Sequence, residues 1–214
     1  MTNQTQNINF NNKAIARKSV VYFSAALIAL LVCILIAFYY AGVLRPKSNN
    51  LERFKTGSLE RLIIDKSQPL APNDGFLSPE GKEINLSDFR GRYVLVNVWA
   101  SWCAPCIREM PSLAAVAREF EPKGLKVVAI NIDGIDKSKM ASEKLKALTS
   151  DALAFYRDPQ MRIAYPLKAK GLPVSVIFNK QGKEIARIDG AVEWENEEAQ
   201  ALILEVLGSK SKQP

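Results

Sequence analysis

The sequence predicts an α/β domain with a partly parallel sheet, preceded by an N-terminal β-hairpin and, further upstream, a single transmembrane helix. Three observations predict it. Tyr93-Val94-Leu95-Val96-Asn97-Val98-Trp99 is a nearly continuous apolar run rich in β-branched and aromatic residues, as a strand buried on both faces requires. The segment from Pro105 to Phe120 then repeats apolar residues at helical spacing, and Leu125 to Ile132 is a second buried strand, so strand, helix and strand form a right-handed parallel crossover. Finally, Ser19 to Ala41 carries no charge and is dominated by Val, Ala, Leu, Ile and Phe, matching the roughly 20 residues a helix needs to cross a hydrocarbon core.

Taken in order, residues 1–18 are rich in Asn, Gln and Thr and end in Lys13, Arg17 and Lys18, which reads as a short disordered tail on the cytoplasmic side. Residues 19–41 read as an uncleaved anchor. A cleaved signal peptide has a shorter apolar core, about 7 to 15 residues, and a small-x-small site, whereas this run ends in Phe38-Tyr39-Tyr40. Those tyrosines suit the far interface of a membrane. Cys33 lies within the run after Leu31-Val32, so a lipoprotein signal does not fit and the thiol reads as an apolar packing group. Flanking charge leaves the orientation open, with Lys13, Arg17 and Lys18 on one side and Arg45, Lys47, Arg53 and Lys55 on the other. A dithiol working outside the cytosol gains more from a tether, which favours an outward-facing domain.

Residues 42–72 read as a linker with a partial helix, and residues 73–208 as the folded domain, followed by a polar tail at 209–214. Within the domain, Asn73 to Phe76 and Ile84 to Leu86 flank the turn-prone Pro79-Glu80-Gly81-Lys82 and should form a hairpin. Pro111 interrupts the helix after the central strand and should kink it. Asp136 to Thr149 has helical composition, Ala152 to Tyr156 reads as a short strand, and Asp158-Pro159 should open a helical turn through Tyr165. Val174 to Phe178 and Glu184 to Ile188, joined by Asn179-Lys180-Gln181-Gly182, should form an antiparallel hairpin, and Glu195 to Leu207 an amphipathic helix that covers the sheet.

Composition narrows the chemistry. The chain of 214 residues has three cysteines and no histidine, which removes Ser/His/Asp and Cys/His nucleophile pairs and every histidine-ligated metal or haem site. The net charge of +7 is interspersed with acids and forms no basic stripe with aromatics, so nucleic acid is not an expected partner. A mildly basic exterior near anionic lipid headgroups accounts for it.

The informative motif is Trp99-Ala100-Ser101-Trp102-Cys103-Ala104-Pro105-Cys106, placed where the buried strand becomes a helix. A cysteine at the first turn of a helix meets unpaired N–H groups and the positive end of the macrodipole, which favour thiolate. Cys103 is therefore the expected nucleophile, and Cys106, one turn later, the resolving thiol that expels a substrate from a mixed disulfide. Pro105 sits where a missing N–H costs little. A zinc clip fails on ligand count, because the third cysteine lies in the apolar run and no histidine exists. A purely structural bridge across so small a loop would constrain the unfolded chain little. No cofactor is expected.

Trp102-Cys103-Ala104-Pro105-Cys106 after an apolar strand, Pro111 in the following helix and Gly171-Leu172-Pro173 before a later strand resemble the thioredoxin superfamily over about Asn73 to Leu207. The stretches Leu86-Ser87-Asp88-Phe89-Arg90-Gly91, Cys106-Ile107-Arg108-Glu109-Met110-Pro111, Asn131-Ile132-Asp133 and Gly190 to Trp194 resemble its membrane-anchored periplasmic branch, typified by TlpA and the cytochrome c maturation thioredoxins. The resemblance implies a thioredoxin-like fold and a thiol:disulfide oxidoreductase. It implies a cis-proline at Pro173 facing the Cys103 sulfur, with the Leu172 backbone and Trp102 engaging substrate. General thioredoxins place a buried Asp where this chain has Asn97, so a different proton acceptor is needed, and Glu109 matches the branch's candidate. The implied partners are clients with cysteine pairs in cytochrome c or oxidase copper-site assembly, together with a membrane reductant, at a bacterial inner membrane with the domain in the periplasm. A disulfide oxidase and a tethered Cu(I) metallochaperone are the alternatives, the latter weakened by the lack of histidine and methionine near the pair. A peroxidase of related fold would carry Pro-x-x-x-Thr/Ser-x-x-Cys, and Ala100 stands where the Thr or Ser should be.

Overall fold

At the centre of the sheet lies β4 (Tyr93–Trp99), flanked by β5 (Leu125–Asn131) in parallel and β7 (Val174–Phe178) antiparallel. The computed structural model describes residue 27, residues 29–36 and residues 51–208. The sheet is completed by β1 (Leu62–Ile63), β2 (Phe76–Leu77), β3 (Glu83–Ile84), β6 (Tyr156–Arg157) and β8 (Glu184–Asp189), in the order β1-β8-β7-β4-β5-β6-β2-β3. Three helices accompany it: α1 (Ala104–Phe120), α2 (Ser138–Thr149) and α3 (Glu197–Val206). This is a thioredoxin-like α/β fold.

Period-two alternation divides the central strands between two cores. Leu95 and Trp99 of β4 join Val127 and Ala129 of β5 in a cluster with Met110, Leu113 and Phe120 of α1 and Leu202 and Ile203 of α3. Val94, Val96 and Val98 join Val128 and Ile130 in a second cluster, closed by Phe76, Leu86, Tyr156 and Ile163. Each fully buried Val, Leu, Ile, Phe or Met side chain among these contributes roughly 1.5–3 kcal/mol. Because both faces of β4 are covered, no polar alternation is needed, and the one exception, Asn97, is 0 % exposed.

The helix α1 runs through Pro111 without ending. It stops at a short 3-10 turn, Glu121–Lys123, after which Gly124 takes φ +102°, a left-handed conformation that costs glycine little and turns the chain into β5.

Several boundaries differ from the sequence expectation. The stretch expected as a linker is partly built into the domain: Leu51–Phe54 and Gly57–Leu59 are 3-10 turns, and β1 pairs with β8 through Leu62 and Ile188. Leu51, Phe54, Leu59 and Leu62 are all buried, so burial of these four, rather than any local pattern, fixes the segment. The chain accordingly divides at Ser48/Asn49 into two compact units. The expected strand from Ala152 shrinks to Tyr156–Arg157, which pairs only with the last residues of β5. The expected helical turn after Asp158 is instead a run of turns, with Met161 and Lys168 at positive φ. The β2 and β3 strands pair antiparallel across Ser78–Lys82 with Gly81 at φ +81°.

In the N-terminal unit, residues 29–36 are helical, with Leu30, Leu31, Leu35 and Ile36 exposed and Cys33 a free, exposed thiol. No helix among the described residues is long and apolar enough to cross a membrane. The rest of the expected anchor, the tail at 1–18 and the polar tail at 209–214 lie outside the described residues.

Candidate active site

At the C-terminal end of β4 the chain turns through Ala100 and Ser101 and enters α1 with Cys103 as N-cap. The Cys106 N–H donates to the Cys103 sulfur at 3.2 Å, so a backbone donor at the helix start points at the sulfur where negative charge develops on reduction. The two sulfurs form a disulfide with S–S 2.07 Å and Cα–Cα 5.3 Å. Cys106 is 0 % exposed and Cys103 5 %, while Trp102 beside them is 66 % exposed. The Leu172–Pro173 peptide is cis and leads directly into β7, whose Val174 pairs with Val98 near the end of β4. Among the described residues nothing hydrogen-bonds the Leu172 backbone, which is left as an open pairing edge.

The loop before Cys103 is gripped at both polar ends of Ser101. Asp133, just past β5, accepts the Ser101 N–H on Oδ2 at 2.8 Å, and Lys144 of α2 donates to the Ser101 carbonyl at 3.0 Å. Asn131 orients Asp133 in turn, donating from Nδ2 to Oδ2 at 2.8 Å and accepting the Asp133 N–H at 3.1 Å. Asp133 is 3 % exposed, so this is a buried, hydrogen-bonded carboxyl that holds backbone rather than solvent.

Glu109 lies one turn beyond Cys106 on α1, and both side chains are buried. Its Oε1 accepts from Trp194 Nε1 at 2.5 Å and from Asn97 Nδ2 at 3.4 Å, and the Val192 N–H is also directed at the carboxyl group. Asn97 donates further to Ser175 Oγ at 2.9 Å, its directly opposed partner on β7. Burial pushes the Glu109 pKa up from 4.5 to about 8, against the opposing pull of those donors. A carboxyl that exchanges its proton near neutrality is suited to proton transfer.

The structure thus brings Cys103, Cys106 and Glu109 onto the first turns of one helix, and places Pro173 at the neighbouring strand end. Trp194 as the Glu109 donor, Ser175, and the Asp133/Lys144 grip escaped the sequence reading. Trp194 stands 85 residues from Glu109, and no local pattern marks the contact. Among the described residues, no cluster of three or more His, Cys, Asp or Glu side chains is arranged to hold a metal ion.

A vicinal cysteine pair capping the helix after the central strand of this fold, beside a cis-proline, defines a thiol-disulfide oxidoreductase. Residues 69–186 match the AhpC/TSA family, and the chain belongs to that family. Among curated relatives, the thiol-disulfide oxidoreductase ResA of Bacillus subtilis (strain 168) is 29 % identical over 122 residues, covering 57 % of this chain and 66 % of the relative. The ResA of Bacillus thuringiensis subsp. konkukian (strain 97-27) is 32 % identical over 134 residues, covering 61 % and 72 %. Among solved structures, one described as a thiol:disulfide interchange protein DsbE from Chlorobium tepidum superposes with a TM-score of 0.59 at 29 % identity, over 68 % of this chain and 100 % of the other. A secreted thiol-disulfide isomerase from Corynebacterium glutamicum gives 0.55 at 26 % identity, over 69 % and 89 %.

Proposed function

We propose that the chain is a dithiol reductase anchored by residues 19–41 in a bacterial inner membrane, with its domain in the periplasm. The Cys103 thiolate, held by the Cys106 N–H, attacks one sulfur of a client disulfide, and the client's other sulfur leaves and takes up a proton. Cys106 then loses its proton to Glu109, in the fraction of molecules whose Glu109 carboxyl is ionised, and attacks the Cys103 sulfur, which closes the Cys103–Cys106 disulfide and releases the client's second thiol. Two electrons pass from this chain to the client, and a membrane partner returns them. Trp102, the Leu172 backbone and Pro173 seat the client segment.

The observation that carries this reading is the N-cap geometry at Cys103 together with a buried carboxyl one turn past Cys106. The likeness to the cytochrome c maturation branch supports clients in cytochrome c or oxidase copper-site assembly. The exposed apolar side chains along residues 29–36 and the secreted C. glutamicum neighbour support an anchored domain outside the cytosol, with residues 1–18 inside and the remainder of 42–72 bridging to the domain.

Cys106→Ser is expected to accumulate mixed disulfides through Cys103, and the trapped proteins identify the clients. Cys103→Ser is expected to trap none. The reduction potential is expected near the thioredoxin end of the scale, about −270 mV, and a value near the strongly oxidising end, about −120 mV, would reverse the direction of electron flow. A reporter fused after Pro214 that is active only outside the cytosol tests the sidedness, and activity inside overturns it.

A further inference from the structure

The end of the sheet that carries Cys103 holds a second feature. Strands β4, β5 and β6 run parallel and lie side by side, so the chain leaves all three at that same end. Beyond β6 the β2–β3 hairpin walls off a recess of about 250 Å³. Its apolar lining comes from Phe76 and Leu77 of the hairpin, Pro159, and Ile135 on the loop after β5. Arg157 and Arg162 supply its cations.

The recess holds two cations, Arg157 and Arg162, and two acids, Glu83 and Asp158, but they are not paired one to one. Arg162 is bound to Glu83 Oε1 at 2.9 Å. The Asp158 carboxylate accepts the N–H groups of Arg162, Ile163 and Ala164 at 2.8, 2.9 and 3.0 Å. Both acids of the lining are therefore committed. The guanidinium of Arg157, a half-buried residue on β6 opposite Leu77, forms no ion pair or hydrogen bond among the described residues. The acids left in the surroundings, Asp74, Glu80 and Asp136, are exposed to solvent, and Glu80 accepts from Ser78 Oγ at 2.7 Å. A guanidinium at the wall of an apolar recess suits a carboxylate that arrives on an apolar backbone, because its planar fork binds both oxygens.

Location identifies the source of that carboxylate. The recess is smaller than the roughly 300–1,000 Å³ of ordinary small-molecule sites, which suits a single side chain of a larger partner. Trp102, beside Cys103 on the loop after β4, and Ile135, which lines the recess on the loop after β5, are 66 % and 72 % exposed. Adjacent strands lie about 4.8 Å apart and an extended chain advances about 3.3 Å per residue, so crossing from β4 to β6 takes about three residues. On the reading that a client disulfide is engaged at Cys103, we propose that this recess is a specificity site. It seats an acidic side chain of the client, about three residues along an extended segment from the reacting cysteine, against Arg157.

The test uses the full chain and two peptide disulfides that differ only in Glu or Gln three residues from the cysteine. The Glu peptide is expected to be reduced up to about fivefold faster, the range of a partly exposed ion pair. Arg157→Gln should abolish the preference and Arg157→Glu should turn it toward a Lys peptide. A neutral small disulfide, bis(2-hydroxyethyl) disulfide, should be reduced at one rate by all three proteins, which also reports that the variants fold. Equal rates for the Glu and Gln peptides, or a preference that survives Arg157→Gln, would overturn the proposal. Titration of the S-methylated peptides reads the recess without electron transfer. Tighter binding of the Glu peptide that depends on Arg157 supports it, and equal affinity overturns it. Failure of the neutral disulfide to react would instead count against the redox reading.

Discussion

Glu109 gives the fold a pH dependence of unusual sign, and replacing it with Gln isolates the effect. The folded chain holds the Glu109 proton up to about pH 8 because burial disfavours the charge, whereas the unfolded chain releases it near 4.5. Folding therefore takes up a proton in this window, and stability is highest below it and is lost as pH rises through it. Linkage between those two values gives a loss of about 4 kcal/mol between pH 5 and pH 9. The carboxyls of Asp65 and Glu80, held down by hydrogen bonds from Ser67 and Ser78, act in the opposite sense and below this range. Tyr156, raised by burial, acts above it. Glu109→Gln keeps an acceptor for Trp194 Nε1 and cannot ionise. Guanidinium unfolding of the oxidised protein at pH 5, 7 and 9 should show a falling midpoint for wild type and a nearly level one for the variant. Curves that run parallel, or a wild type that stays level, would refute the buried, proton-holding assignment.

Three further outcomes are expected. Trp194→Phe removes the strongest donor to Glu109 and leaves a buried carboxyl oxygen short of a partner. It should cost about 1–3 kcal/mol by denaturant midpoint and move the Glu109-linked stability transition to higher pH. Asp133→Ala strands the Ser101 N–H and the Asn131 amide, and should cost about 1–3 kcal/mol while slowing thiol exchange at Cys103, read by iodoacetamide labelling of the reduced protein. Glu184→Leu breaks a two-pronged pair in which Arg187 meets both carboxylate oxygens at 2.6 and 2.7 Å. With the Arg187 side chain only 12 % exposed, the stranded guanidinium should cost about 3–5 kcal/mol, whereas replacing both partners with apolar residues should restore much of the loss.

What was legible in the sequence was local. The β4–α1–β5 unit announces itself through a run of β-branched residues, a helical apolar face and a second run, and the cysteine pair sits at the junction where its chemistry is set by the helix start. Elements held only by distant partners were not legible. The β1 strand is two residues long, has charged neighbours, and exists because Leu62 finds Ile188 across the whole domain. The segment after β6 has helical composition, yet the Asp158 carboxylate captures its first N–H groups, and left-handed Met161 stops a helix from continuing. Glu109 could be named from its position on the helix. Its burial and its Trp194 contact depend on the chain returning after β8, which no window of sequence around α1 contains.

The hold on Ser101 carries a mechanical consequence. A residue pinned through its N–H by one element and through its carbonyl by another has both flanking peptide units held, so the turn feeding the helix is a fixed mount. Opening and closing the sulfur bridge is then expected to be accommodated by rotation of the cysteine side chains, with the backbone at Ser101 staying in place. A fixed mount is expected to show a client the same contour in both redox states, so that release after electron transfer follows from the breaking of the intermolecular sulfur bond, without a retreating loop.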